Sequence, residues 1–363
     1  MTTRRITSVV IACAVATLVL VLVAMASLAL GSRSIAPDVV WDALVRGWAS
    51  QDAQVVTQLR VPRTIAALMI GGALGLAGSI MQAMIRNPLA DPGVLGINAG
   101  AAFVVVSVTA ISGVVTRAGT LGASLVGAGV AVALVFAILG RGGGSRSRLV
   151  LAGIAVSAAL ASLTQAVLTA NQFAFNEFRY WASGSFEGVD MGSVAAAGVD
   201  MGSVAAAGVV ILCGCVLAVL ISSALGVLAI GEDAAVSLGV RVRLIRALGV
   251  LAVTALAGGA TALGGPLTFV GLAVPLMVRR VVGARQGTIA IWSTVSGAVW
   301  VCIADITSRL VLAPSEVPVG VVVALIGAPS SLSVRVEGAC RDAGKPSVHH
   351  SVESGFLRAH PST

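Results

Sequence analysis

The sequence predicts an all-α integral membrane protein, a polytopic bundle of about ten transmembrane helices, and three observations carry that reading. Of 363 residues, 57% are hydrophobic and only 10% charged, with a mean hydropathy of +1.01, values outside the range of soluble globular domains. The apolar residues fall into runs of roughly 20, the length an α-helix needs to cross ~30 Å of hydrocarbon. The alternating apolar and polar pattern of a closed membrane barrel is missing.

Reading the runs between charged or Pro/Gly breaks places helices near 6–30, 64–85, 94–115, 119–139, 149–170, 203–225, 247–263, 267–282, 288–311 and 317–334. The first follows Arg4 and Arg5 as a signal peptide would, but its apolar part is too long and further runs follow, so it is expected to be retained. The connection 31–63 carries Trp41, Trp48 and several charges, the pattern of a helix lying at the membrane interface. The second run contains GGALGLAG (71–78), small residues that let helix backbones approach closely. Between the second and third runs sits RNPLADPGVLG (86–96), whose prolines and charges interrupt the apolar sequence. There Pro88 and Pro92 break the helix, Asn87 and Asp91 are placed to bond freed backbone groups, and Gly93 permits a tight re-entry after Arg86, giving a rigid inner turn. The segment GVDMGSVAAA occurs at 188–197 and again at 198–207, a local duplication and not a solenoid repeat. One copy is expected to remain in a loop, because ten added helical residues would turn everything downstream by about 80°. The stretch 226–247 is too polar in its middle to span and too apolar for a free linker, so a short packed helix is expected. Residues 1–336 read as one transmembrane domain, and 337–363 as a polar, disordered tail.

With the N-terminus inside, 16 of the 23 Arg and Lys residues fall in inner segments and 7 in outer ones. This positive-inside bias predicts a multi-pass protein of the cytoplasmic membrane with both termini cytoplasmic. The net charge of +8 is thereby explained by the lipid bilayer, and no nucleic-acid partner is needed.

Several chemistries find no support. The single lysine, Lys345 in GACRDAGKPS, lacks the glycine spacing and the following Ser or Thr of a phosphate-binding loop. Among Cys13, Cys213, Cys215, Cys302 and Cys340 no pair has C-x-x-C spacing, so free thiols are expected and no metal site. His349, His350 and His360 all lie in the tail. No His, Cys or carboxylate constellation offers an enzyme site. An ion-coupled secondary transporter, the alternative reading, would bury ionisable residues at depth. The predicted helices hold few, the clearest being Asp305 with Arg309 at i, i+4, read either as a self-neutralising pair or as functional.

Eight motifs in order, RVPRTIAAL (60–68), RNPLADPGVLGINAGA (86–101), WASGSF (181–186), GEDAAVSLGV (231–240), GPLTFVGLAVP (265–275), ADITSRL (304–310), EVPVG (316–320) and GAP (327–329), resemble the permease subunits of bacterial ABC importers for iron(III)-siderophores, haem and cobalamin. The resemblance covers roughly residues 55–330. It implies a ten-helix subunit that pairs with a second permease subunit, rests on two ATPase subunits and receives a bulky metal chelate from an extracytoplasmic substrate-binding protein. Cofactors are then none in this chain, since ATP is bound by the partner ATPase.

The resemblance also assigns roles. GEDAAVSLGV becomes the helix that couples to the ATPase, with Gly231, Glu232, Asp233, Ala234, Ala235, Leu238 and Gly239 as contact residues; an ordinary interfacial helix is the plainer alternative. Arg60, Arg63 and Arg309 become docking arginines for carboxylates of the binding protein, with headgroup anchoring as the alternative for the first two. The segment 86–96 is a structural turn in the plain reading and a contact with the ATPase or the passage in the other.

Overall fold

The computed structural model describes residues 2–31, 35–46, 50–113, 117–140, 146–182, 201–312 and 315–327, and every regular element among them is helical. The first copy of the duplication, the tail with its histidines and Lys345, Trp48 and Cys340 lie outside the described residues. In chain order the elements are α1 (Thr2–Ala29), α2 (Pro37–Arg46), α3 (Gln51–Gln54), a π-helical turn (Val55–Arg60), α4 (Val61–Ile85), a 3-10 turn (Pro92–Leu95), α5 (Ile97–Ser112), α6 (Arg117–Leu139), α7 (Arg146–Ala170), α8 (Gln172–Ala182), α9 (Met201–Ile230), α10 (Glu232–Ser237), α11 (Val242–Gly264), α12 (Val270–Val282) and α13 (Gln286–Val311). A further helix, α14, covers 319–327.

Each apolar run read from the sequence contains a helix. Seven described helices are long and apolar enough to cross a membrane, namely those covering 11–29, 51–85, 119–139, 147–170, 201–230, 242–264 and 286–311. Two others are shorter than their runs suggested. α5 has 16 residues and α12 has 13, because Leu267 to Phe269 are not helical and the 3-10 turn occupies the start of the third run.

α4 is the central helix, buried along almost its whole length and packed between α13, α11, α12 and α9. Its small residues make this possible. A Cβ added at Gly71 would overlap the Gly297 carbonyl, one at Gly75 the Ser293 carbonyl, and one at Gly78 the Gly271 carbonyl. α13 and α12 therefore lie against α4 backbone to backbone, the close approach that small residues allow where lipid supplies no hydrophobic drive for association. By contrast α1 turns Ile11, Val15, Leu18 and Leu22 outwards, the surface of a helix bathed in hydrocarbon.

The expected interfacial helix of 31–63 is only half right. Its first half holds a separate ten-residue helix, α2, with Pro37 at its start and Asp38 in the first turn. The second half, from Gln51, instead runs without interruption into α4. Pro62 explains the π-helical turn in between: proline lacks an N–H and its ring would strike the carbonyl four residues back. Widening the preceding turn relieves this, and Val61 N–H reaches five residues back to Val56 O.

The two shortened helices share a device. PLADPG (88–93) precedes α5 and PLTFVG (266–271) opens α12, and the two breaks meet, since a Cβ on Gly271 would lie 2.7 Å from Pro92 Cδ. At the second break Gly265 and Phe269 both take positive φ, 74° and 69°. For phenylalanine that is a strained conformation, and the residue is held there against Gly327 of α14.

Candidate functional site

The chemistry-bearing residues gather at the two ends of the bundle. One end collects the C-termini of α1 and α13 with the start of α4, and is called here the Arg63 end. The other collects the C-termini of α4 and α9 with α10 and the start of α11, and is called the Glu232 end.

At the Arg63 end, α4, α13 and the connection that follows α13 meet on one ionic network. Arg63 donates from Nε to Asp305 Oδ1 at 2.9 Å, from Nη1 to Glu316 Oε1 at 3.1 Å and from Nη2 to Glu316 Oε2 at 2.8 Å. Its Nη2 also lies 2.8 Å from Asp305 Oδ1. The guanidinium thus holds one carboxylate along each edge, the bidentate geometry at which arginine is strongest. Asp305 is fully buried while the Arg63 and Glu316 side chains are 12% and 17% exposed. Arg309 Nη2 meets Asp305 Oδ2 at 2.9 Å, an ion contact off the hydrogen-bond axis.

Arg309 and Arg60 have a second role that the sequence did not signal. Arg309 Nη1 donates to Ser27 O at 3.1 Å and Leu30 O at 3.0 Å, and its Nη2 donates to Ser27 Oγ at 2.8 Å. Arg60 Nη1 donates to Leu28 O at 2.7 Å and Ala29 O at 3.0 Å. The last carbonyls of a helix have no partners within it and carry partial negative charge. Two buried arginines from distant parts of the chain therefore cap α1. All three arginines expected at a docking surface lie at one end, as their motifs required, but their guanidinium groups are turned onto the chain itself.

At the Glu232 end, α10 stands between α9 and α11 as a six-residue helix. Glu232 Oε2 accepts from Arg246 Nη2 at 2.8 Å, which ties the helix start to α11. Gly239, at φ 77°, ends it: Val240 N–H reaches Ala235 O at 2.9 Å, a closure only a left-handed residue allows. Gly231 precedes the helix, Ala235 is buried beneath it, and Ala234 accepts from Leu238 N–H. Asp233 is exposed, as are Val236 at 62% and Leu238 at 69%. Val236 and Leu238 thus put two apolar side chains on an otherwise polar tip. Val236 and the neighbouring exposed Ile230 were missed in the sequence, where alternation within so short a helix gives no face.

The segment 86–96 is anchored at the same end. Arg86, left-handed at φ 55°, donates from Nη2 to Ile230 O at 3.1 Å and so joins α4 to α9. Asn87 Oδ1 accepts Leu89 N–H at 2.9 Å, and Asp91 Oδ1 accepts Gly93 N–H at 2.7 Å. Pro88 leads into the turn, and Pro92 begins the 3-10 turn. Gly93 leaves room for this cap, since a Cβ there would lie 2.8 Å from Asp91 Oδ1 and displace the carboxylate. Gly96, at φ 77°, supplies the left-handed residue that leads into α5. From Ala90 onward the segment is more than a surface turn: a Cβ on Gly153 of α7 would overlap Val94 O, and one on Gly271 of α12 would lie 2.7 Å from Pro92 Cδ. It is wedged among helices.

Among the described residues no group of His, Cys, Asp and Glu could hold a metal, and Cys13, Cys213, Cys215 and Cys302 are free. What the molecule offers is a membrane bundle with an ionic platform at one end and an apolar-tipped helix at the other. A helical bundle with seven helices of membrane-spanning length, whose sequence matches a transport family along most of its length, is a transport permease subunit. The chain belongs to the FecCD transport family, whose pattern matches residues 18–333.

Relatives agree. The chain is 39% identical to the ferric enterobactin transport system permease FepD of Escherichia coli over 86% of this chain and 91% of that one. It is 33% identical to the probable siderophore permease YfiZ of Bacillus subtilis, over 78% and 83%, and 32% identical to the vitamin B12 import permease BtuC of Salmonella typhi, over 86% and 90%. A solved structure described as an inward-facing metal-chelate type ABC transporter superposes with a TM-score of 0.76 at 25% identity, covering 89% of this chain and 97% of that one.

Proposed function

We propose that this chain is the membrane-spanning subunit of an ATP-driven importer that carries an iron(III)-siderophore across the bacterial cytoplasmic membrane. The observation that supports the cargo is the similarity along 86% of the chain to a ferric enterobactin permease. In this reading α5, α12 and α14 complete the seven long helices to ten spans, and both termini lie in the cytoplasm. The Glu232 end is then cytoplasmic. Its α10 seats in one of two partner ATPase subunits through Asp233, Val236 and Leu238, while Glu232 and Arg246 hold it upright. ATP stays on the partners, and the chain performs no covalent chemistry. A second permease subunit completes the passage.

The Arg63 end faces outwards and receives an extracytoplasmic binding protein, whose carboxylates approach at Arg63, with the buried Arg60 and Arg309 adding positive charge behind it. Arginine suits this role by its fork geometry, and such pairing steers encounter most strongly at low salt.

The test is uptake of radiolabelled ferric enterobactin by proteoliposomes holding the full complex. Uptake should need ATP and should vanish in Asp233→Arg with Leu238→Asp, together with co-purification of the ATPase. Uptake driven by an ion gradient without nucleotide would overturn the reading in favour of a secondary transporter.

A further inference from the structure

The Arg63 guanidinium that the proposed docking would use is already occupied. Its buried edge belongs to Asp305, which is wholly inaccessible, and its outer edge is closed by both oxygens of Glu316. A carboxylate arriving from outside therefore has one place to bind in the fork, and Glu316 sits in it. Glu316 is also the most exposed charge of the Arg63, Asp305, Arg309 and Glu316 group. It belongs to the connection between α13 and α14, where Val317 N–H donates to Ser308 O at 3.0 Å and Pro318 O accepts from Val321 N–H at 3.0 Å to begin α14.

We propose that Glu316 is a built-in occupant of the Arg63 fork, holding the place that a binding-protein carboxylate takes on docking, and that this exchange unfastens the start of α14. The inference rests on the docking role given above to the Arg63 end. The physical argument is one of competition. A fork with its donors committed to two carboxylates cannot accept a third bidentate partner, so docking proceeds through the fraction of molecules in which Glu316 has left. Apparent affinity falls by that fraction. Asp305 is unsuited to leaving, because its departure would strand Arg309 and Arg63 in a buried site. Glu316, the more exposed of the two carboxylates, is the one that can reach water. Its release removes an anchor between the α13–α14 connection and α4, and the far end of α14 bears on the strained Phe269 through Gly327. Docking is thereby communicated to the break between α11 and α12 through a contact that changes hands at the surface.

The experiment measures docking of the system's external binding protein to the permease–ATPase complex in nanodiscs, for the wild type, Glu316→Gln and Arg63→Ala, each verified to retain the ATPase. Arg63→Ala should weaken docking, and Glu316→Gln should tighten it about tenfold, as expected if roughly one molecule in ten has an open fork. If Arg63→Ala docks as the wild type does, the docking role itself fails. If Arg63→Ala weakens docking while Glu316→Gln leaves it unchanged or weakens it too, Glu316 merely positions Arg63 and the exchange is wrong. Amide exchange on the unmutated complex is a second reading that no folding defect can confuse. Adding the binding protein should speed exchange at Val321 and Val322, and protection there would overturn the proposal.

Discussion

Asp305 shows how much one side chain can hold. It faces Arg63 through Oδ1 and Arg309 through Oδ2 with no access to solvent, and both arginines are committed elsewhere by their remaining donors. Asp305→Asn should remove the charge that both cations share and leave them repelling one another. Breaking a buried pair this way costs about 3–5 kcal/mol, to be read as a lower denaturation midpoint of the purified subunit. A midpoint shift equivalent to less than about 1 kcal/mol would mean that the pairs are worth no more than exposed ones. At this scale the sequence was half legible. The spacing of Asp305 and Arg309 on one helix made their pairing visible, because i, i+4 contacts follow from helix geometry alone. The bond between Arg63 and Glu316 spans 253 positions, and no local periodicity encodes it. The capping of α1 by Arg60 and Arg309 was hidden for the same reason, so arginines expected to point outwards are found holding a helix end.

Among the elements, the pairing of α4 with α13 is the contact most exposed to mutation. Gly75→Val would drive a branched side chain into the Ser293 carbonyl, and neither backbone has room to retreat. The cost should reach or pass ~3 kcal/mol, the upper range for overpacking, seen as loss of folded subunit in the membrane; Gly122→Ala, where a Cβ meets nothing within 4 Å, should be tolerated. Long helices were readable because a run of apolar residues is a strong signal. The shorter pieces were not. α8 was missed entirely, although Asn171 caps it by accepting Ala174 N–H at 3.0 Å, a start signal that its aromatic sequence masked. α5 and α12 were drawn too long because Val94 to Gly96 and Leu267 to Phe269 are apolar enough to extend a run, and hydropathy does not register non-helical backbone.

For the whole molecule, the duplication at 188–207 becomes a simple test. α9 begins at Met201, within the second copy, and removing ten residues yields the same sequence whichever copy is cut. The deletion should leave α9 whole and uptake at the unmodified rate, whereas lost uptake would give the added copy a role. Composition alone was enough for the membrane bundle, and ordered motifs for the family, since both are properties of the chain as a string. The meeting of the two proline breaks at Gly271 and Pro92 is a property of space alone. One consequence of that difference concerns biosynthesis. The carbonyl of Ser27 finds Arg309 across 282 positions, so of the two residues that close the end of α1 only Arg60 is translated soon after it. A nascent chain halted before α13 would display a helix terminus half closed to whatever surveillance the cell maintains.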